Sequence, residues 1–188
     1  MTKTRKTILA ISVIMMVFTV GLLFTGCGES QQKSVAKKTE CSADKSEDKE
    51  VKKTDYPNLE DFKDLSVLVS IKKQKLYIKS GKEAIFETAV STGKEGYETP
   101  TGDFVIEPEK GEFFYSPGVE EGGYYWVSFK DHGLYMFHSV PTDEEGNIID
   151  WEAKLLGKPV SHGCIRMSME ASKWFYENIP QGVPVHVR

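Results

Sequence analysis

Cysteine is scarce in this chain, and its distribution excludes a disulfide framework. The 188 residues contain three cysteines, Cys27, Cys41 and Cys164, in three regions of different composition. A small fold stapled by disulfides needs a larger, even set of cysteines at short spacings. A single bridge between Cys41 and Cys164 stays open as an alternative. The chain also lacks an excess of basic residues, with 24 lysines and arginines against 28 acidic residues. Phosphate binding needs a basic face, so we expect no nucleic-acid partner.

Residues 1–26 are predicted to be a signal peptide or a membrane anchor. Lys3, Arg5 and Lys6 precede a charge-free apolar run of 17 residues at 8–24. A run of this length is at the lower limit for a bilayer span, so a cleaved and an uncleaved segment are both open. Because basic residues stay on the cytoplasmic side, the rest of the chain is predicted to be extracytoplasmic, tethered to the outer face of the cell membrane.

Residues 27–55 are predicted to contain a lipidation site and a disordered stalk. Thr25-Gly26-Cys27 resembles the lipobox of bacterial lipoproteins, although Phe24 stands where leucine is usual. That resemblance makes Cys27 the lipidated residue. Residues 29–55 hold seven lysines, seven acids and no aromatic residue. Such a segment buries too little apolar surface to offset the entropy of ordering.

Residues 56–188 are predicted to form one mainly β domain. Segments rich in Val, Ile, Tyr and Phe, bounded by turn residues, predict strands at 66–71, 75–80, 84–90, 103–107, 124–129 and 134–138, and an edge strand at 183–187. One amphipathic helix is predicted from its N-cap Ser168 to a point before Pro180. The acidic residues between 107 and 121 are assigned to solvated loops. Helices and strands do not alternate, which favours a β-sandwich or mixed sheet over a doubly wound parallel sheet.

The stretch PVSHGCIRM at 159–167 contains the parts of a cysteine nucleophile. A thiol attacks a carbonyl as thiolate, so it needs an imidazole base and amide donors for the oxyanion. Gly163 leaves its own amide and that of Cys164 uncovered. His138 ends an apolar strand, where its proton affinity can be tuned. We predict Cys164 as the nucleophile and His138 as its base, with His132 as the rival base.

Strand alternation places His138 on the same face as Leu134 and Met136. A zinc site of His138, His162 and Cys164 is an alternative, but two ligands at i and i+2 with one distant histidine match no common structural spacing. We therefore expect no metal or organic cofactor.

Ser161-His162-Gly163-Cys164 followed by Ile-Arg, with His138-Ser139 upstream, resembles the motif of the YkuD-type L,D-transpeptidase family. Residues 71–106, with a Thr-Pro-Thr-Gly turn, are similar to the family's opening hairpin. The resemblance covers about residue 66 to the C-terminus and implies the L,D-transpeptidase catalytic fold. The family usually has fewer residues than the 22 that separate His138 from Ser161 here. The surplus is assigned to the polar turn at 142–147, which can lengthen at small entropic cost.

The resemblance implies that the protein forms 3-3 cross-links in peptidoglycan. Cys164 would attack the stem tetrapeptide at its third residue, a diamino acid, and D-Ala would leave. A thioester would then be resolved by the side-chain amine of a neighbouring stem. Carbapenem-type β-lactams are expected to acylate the same sulfur.

The resemblance also assigns roles to residues around the nucleophile. His162 and Gly163 would help to build the site and the oxyanion hole, and Ser139 would orient His138. Arg166 would support the loop or meet a substrate carboxylate, and Ser161 would contact substrate. L,D-carboxypeptidase activity, exchange with free D-amino acids, a sortase-like transpeptidase and a non-catalytic wall-binding lipoprotein remain as alternatives.

Overall fold

Residues 56–188 are described by a computed structural model. The predicted signal or anchor segment, Cys27, Cys41 and the predicted stalk lie outside the described residues. Two β-sheets dominate the described part of the chain. The first sheet has five strands in the order β3-β2-β1-β9-β4. Its strands are β1 (Leu65–Ser70), β2 (Lys75–Ser80), β3 (Glu83–Ala89), β4 (Gly102–Val105) and β9 (Pro184–Val187).

The second sheet carries the predicted catalytic residues. It has four strands in the order β5-β6-β7-β8. Its strands are β5 (Lys110–Ser116), β6 (Glu121–Lys130), β7 (Tyr135–Ser139) and β8 (Ile165–Met167). The strands β7 and β8 pair in parallel, with His138 opposite Arg166, whereas the other neighbours pair antiparallel. This pairing brings two segments that are distant in the sequence to one end of the sheet.

The helices of the described residues are short. A 3-10 turn covers Leu59–Asp61, α1 covers Asp150–Ala153 and α2 covers Met169–Asn178. Ser168 caps α2 by accepting a hydrogen bond from the Ala171 amide, as predicted. Within residues 56–188, no helix is long and apolar enough to cross a membrane.

One hydrophobic core lies between the two sheets and α2. The first sheet contributes alternate residues, such as Val67 and Val69 of β1, which are fully buried. Phe137 of β7 contacts Phe175 of α2 at 4.9 Å between ring centroids. A second aromatic contact joins the two sheets. The ring of Phe104 in β4 lies 5.6 Å from the ring of Phe129 in β6, measured between centroids. The position of β7, which carries His138, is therefore set by packing against α2.

The predicted mainly β fold with one C-terminal helix is confirmed, but the assignment of 183–187 as an edge strand is wrong. The strand β9 lies between β1, with which it is parallel, and β4, with which it is antiparallel. Pro184 is the first residue of the strand, a position where proline's missing N–H is tolerated. Assigning the whole acidic region to loops is also wrong, since Lys110–Ser116 forms β5 along β6.

Candidate active site

Three of the residues predicted to be catalytic, His138, His162 and Cys164, line one cavity of about 320 Å³ at an end of the second sheet, whereas Ser139 and Gly163 do not line it. Its walls come from β5, the β5–β6 turn, β6, β7 and the loop before β8. The lining residues include Phe114, Val119, Glu121, Leu134, Met136, His138, Ser161, His162, Cys164 and Arg166. Leu134, Met136 and His138 share this cavity, as strand alternation predicts. The two residues that carry the predicted chemistry, Cys164 and His138, are therefore on one face and not on opposite faces of the sheet.

Cys164 lies immediately before β8, and its side chain is partly exposed to the cavity. Ile165 is paired with Phe137, so the thiol lies beside the β7 backbone. Its Sγ donates a hydrogen bond to the carbonyl oxygen of Leu134 at 3.7 Å. Burial raises the pKa of the Cys164 thiol, while the Met136 amide and the Arg166 charge oppose that shift. The resting sulfur is thus a thiol that needs a base.

His138 is positioned by tight packing near the end of β7. It is 4% exposed, and its ring meets the edge of the Phe114 ring at 5.1 Å between centroids. A Cβ added at Gly123 would lie 2.7 Å from His138 Nδ1, so this close approach requires glycine on β6. Burial, and then the Arg166 charge, lower the pKa of His138 to about 3. His138 is therefore a neutral imidazole in the resting site, as a general base must be.

Gly163 and Ser161 shape the loop that presents the thiol. Gly163 has a φ of +115°, which L side chains rarely adopt, and a Cβ there would lie 3.0 Å from the Tyr135 ring. The Gly163 amide donates to Ser161 Oγ at 3.1 Å, and Ser161 Oγ donates to the Cys164 carbonyl at 2.6 Å. Thr99 Oγ1 donates to the Gly163 carbonyl at 2.9 Å. The loop is thus held by Ser161 from within and by Thr99 from a neighbouring segment.

These bonds correct two of the predicted roles. The Gly163 amide is engaged by Ser161, so it does not face a substrate oxygen, and the Cys164 amide is left as the predicted oxyanion donor. Ser161 itself is fully buried, and its hydroxyl is occupied on both sides within the loop. Although Ser161 lines the cavity, its hydroxyl holds the loop around Cys164 and is not free to bind a substrate.

His162 is held between a cation and an anion. Its Nε2 is 2.8 Å from Lys94 Nζ, which can only donate, so Nε2 accepts. Its Nδ1 faces Glu121 Oε2 at 3.7 Å. The edge of the Tyr97 ring completes the enclosure, at 5.1 Å between centroids. His162 lines the cavity as predicted, with its ring orientation set by these three neighbours.

Arg166 is buried beneath the cavity, with 2% exposure. Its Nη2 donates to Glu121, and its Nη1 donates to Glu152 of α1. The prediction that Arg166 supports the loop agrees with these contacts. The alternative, that it meets a substrate carboxylate, is wrong, because two protein carboxylates already occupy its guanidinium.

The resemblance implies that Ser139 orients His138, but the Ser139 hydroxyl does not contact the His138 ring. Ser139 Oγ accepts a hydrogen bond from the Tyr124 amide at 2.9 Å and donates to the Val140 carbonyl at 2.8 Å. The side chain is fully buried and ties the end of β7 to β6. Its influence on His138 runs through the backbone position of the strand.

Four residues at the site carry no prediction from the motif: Lys94, Glu121, Gly123 and Glu152. The paired Gly122-Gly123 inside a strand is a signal that could have been used, since glycine within strands marks close approach. The ion pairs of Arg166 had no such signal, because their partners come from β6 and α1. Glu152 lies between His138 and Ser161 but outside the polar turn at 142–147, and no motif residue adjoins it in the sequence.

The geometry does not support the rival base or the zinc alternative. The His132 side chain is 74% exposed, its Nδ1 lies 2.9 Å from Glu109 Oε1, and His132 is not among the residues that line the cavity. Within residues 56–188, the cluster of potential metal ligands is Glu107, Glu109 and His132. Its members already hydrogen-bond one another or their neighbours, and it includes neither His138 nor Cys164.

Comparisons with known proteins agree with this geometry. The model of the YkuD family, described as an L,D-transpeptidase catalytic domain, matches residues 64–187. YciB of Bacillus subtilis strain 168, a protein named for L,D-transpeptidase activity, is 44% identical over 134 residues, which are 70% of this chain and 69% of YciB.

Solved structures show the same fold. An L,D-transpeptidase from Stackebrandtia nassauensis is 28% identical with a TM-score of 0.52, and the match covers 66% of this chain and 55% of that one. L,D-transpeptidase 3 from Mycobacterium tuberculosis, solved with a faropenem-derived adduct, is 24% identical with a TM-score of 0.51, covering 66% and 60%. This chain thus spans less than two thirds of either solved chain. With the family model matching most of its length, the chain belongs to the YkuD family of L,D-transpeptidase catalytic domains.

Proposed function

We propose that this protein forms 3-3 cross-links between peptidoglycan stems through a thioester on Cys164. The observation that carries the proposal is the shared cavity, in which a thiol and a neutral buried imidazole meet an open space large enough for a peptide side chain. The similarity to YciB supports the same reaction class. A sortase-like reaction finds no such support.

Each step of the reaction moves one proton through His138. As Cys164 Sγ bonds to the carbonyl carbon of the third stem residue, His138 takes the thiol proton. The tetrahedral oxyanion collapses, the C–N bond breaks, and His138 returns the proton to the departing amine of D-Ala. The side-chain amine of a second stem then attacks the thioester and gives its proton to His138. The sulfur leaves and recovers that proton, which restores the thiol.

A defined tetrapeptide tests this reaction. We expect the full chain to release D-Ala and to form a dimer that is detected by mass spectrometry, and Cys164→Ala to do neither. Cys41→Ala is the matched control and should retain both products. Release of D-Ala without a dimer would assign L,D-carboxypeptidase activity. Absence of D-Ala release, together with retention on purified sacculi for wild type and Cys164→Ala alike, would instead support the non-catalytic wall-binding alternative.

Carbapenem-type β-lactams are proposed to acylate Cys164. The relative from Mycobacterium tuberculosis carries an adduct derived from faropenem, and β-lactams present a strained carbonyl to a nucleophile. Intact-protein mass spectrometry after incubation with imipenem should show one adduct on the wild type and none on Cys164→Ala. An adduct of equal yield on both proteins would contradict the proposal.

Attachment to the outer face of the cell membrane is proposed from the N-terminal sequence. The support is the basic start, the apolar run at 8–24 and the lipobox-like Cys27. After expression of the full chain in a bacterium, mass spectrometry of the membrane fraction should find a lipid on Cys27, and Cys27→Ala should lose it. An uncleaved chain in the membrane fraction would indicate an anchor, and recovery from the cytosol would contradict both forms.

A further inference from the structure

Glu121 is the one carboxylate among the described residues that line the catalytic cavity. Its side chain is 15% exposed, so a ligand in the cavity can reach it. It lies at the start of β6, close enough to the nucleophile that its charge raises the pKa of the Cys164 thiol. A negative charge at this position opposes formation of the thiolate. Its presence therefore needs a reason other than activation of the sulfur.

Support of Arg166 does not fully account for Glu121. The guanidinium is already paired with Glu152, which lies outside the set of cavity-lining residues. With Glu121 added, two carboxylates share a single buried guanidinium, and burial, together with the neighbouring Glu152 carboxylate, raises the pKa of Glu121. A buried charge is costly unless a partner compensates it. Lys94 does not supply that partner, because its ammonium is directed to Nε2 on the far side of the His162 ring.

The rest of the cavity wall matches a specific kind of side chain. Phe114, Val119, Leu134 and Met136 give the cavity a predominantly apolar lining around this carboxylate. A side chain with a methylene stem and a terminal ammonium fits such a wall, since the stem packs on apolar surface and the head meets the charge. The side chain of a diamino acid has this form.

We propose that Glu121 is a specificity-determining residue that binds the side-chain ammonium of the diamino acid in the donor stem. The inference rests on the proposed function, because the carbonyl of that same residue is the one attacked by Cys164. The ammonium bound by Glu121 is assigned to the donor stem and not to the acceptor stem. The acceptor amine must reach the thioester unprotonated, whereas a carboxylate favours the protonated form. The donor's ammonium stays charged throughout the reaction, and its charge favours the ionised form of Glu121 in the bound complex.

Binding measured without chemistry tests the proposal. In a Cys164→Ala background, isothermal titration calorimetry compares a tetrapeptide whose third residue is lysine with the same peptide carrying norleucine. We expect the lysine peptide to bind at least about tenfold more tightly, as one charge-assisted contact provides. With Glu121→Gln added, the two affinities should become equal within about twofold.

Two variants and one modified peptide separate recognition from structural support. Glu152→Gln removes the other carboxylate from the same guanidinium, and Glu120→Gln changes an exposed neighbour. Both should retain the preference for lysine. A peptide with an acetylated lysine side chain keeps the length and loses the charge, so it should bind like the norleucine peptide. This comparison needs no change at Glu121, so it still tests whether the cavity binds the ammonium if Glu121→Gln fails to fold, and Glu121→Asp then tests the residue itself.

Several results would overturn the proposal. They are equal affinities for the lysine and norleucine peptides, a preference that survives Glu121→Gln, an equal loss in Glu152→Gln, tight binding of the acetylated peptide, or no binding of any peptide. Failure of the proposed function is seen separately, as absence of D-Ala release by the protein with Cys164 intact. A preference for lysine without D-Ala release would keep Glu121 as an ammonium site and remove the transpeptidase reaction.

Discussion

His138 links the chemistry of the site to the stability of the fold. Its pKa of about 3 in the folded protein lies below the ordinary value of 6.5, so the unfolded chain binds a proton first as pH falls. The corresponding stability is fully present above pH 6.5 and is lost progressively between pH 6.5 and pH 3. Keeping His138 neutral therefore lowers the free energy of unfolding only at acidic pH.

We expect the wild type to lose roughly 2 kcal/mol more unfolding free energy than His138→Gln between pH 7 and pH 5. Urea unfolding at both pH values measures this difference. His132→Gln is the control of opposite sign, because the hydrogen bond with Glu109 raises the pKa of His132. An equal pH dependence in the wild type and His138→Gln would show that His138 titrates normally.

Gly123 determines how closely β6 approaches the base. A Cβ at this position would lie 2.7 Å from His138 Nδ1 and 3.1 Å from Phe114, so Gly123→Ala must displace the imidazole. We expect acylation by imipenem to slow by about 100-fold, the effect of a misplaced catalytic group. Gly118→Ala is the matched control, since nothing lies within 4 Å of a Cβ there. Equal acylation rates in the two variants would contradict this role of Gly123.

At the scale of elements, the helix α2 supports β7, the strand that carries the proposed base His138. Phe175 is fully buried on the inner face of α2, and its ring packs against Phe137, the residue before His138. The strand β7 is thereby held between the helix and its neighbours β6 and β8. No residue of α2 lines the cavity, but the helix packs against β7, which contributes Met136 and His138 to it.

Phe175→Ala should lower the free energy of unfolding by about 3–5 kcal/mol through lost burial and a residual cavity. Chemical denaturation measures the change. Lys173→Ala on the same helix removes an exposed side chain in a weak ion pair with Glu177 and should cost less than about 0.5 kcal/mol. Similar losses for both variants would show that α2 packs less closely than described.

At the scale of the whole described domain, the C-terminal strand closes the first sheet. The strand β9 pairs with β1 and β4, and Val185 is fully buried in the core shared with the second sheet. Parallel pairing of β1 with β9 joins residues near the two ends of the described chain. The active site therefore depends on a strand that contributes none of the residues lining its cavity.

We expect Val185→Ala to destabilise the domain by about 2 kcal/mol, because it removes buried apolar groups from a shared core. Since both sheets share this core, unfolding followed by circular dichroism and by tryptophan fluorescence should give the same shifted midpoint. Val105→Ala, at a 49% exposed position of β4, should change the midpoint little. Separate midpoints for the two probes would show that the sheets unfold independently.

The sequence by itself determined the fold class and the capped helix, and it supplied the nucleophile and base that we propose. These features are local: strand composition, the Ser168 N-cap and the SHGC motif each lie within a few consecutive residues. The face shared by Leu134, Met136 and His138 also followed from strand period alone.

Only the tertiary structure decided which side chains surround those residues. Long-range contacts place β9 in the middle of its sheet and bring two glutamates to Arg166. The same kind of contact engages the hydroxyl of Ser139, and the fold of the loop engages that of Ser161. A buried cation takes whichever anions the folded chain brings within reach, and hydrogen bonds of a buried hydroxyl go to the nearest backbone groups. The spacing of residues in the sequence does not indicate which of them meet in the fold. The roles predicted for Arg166, Ser139 and Ser161 therefore changed once their neighbours were known.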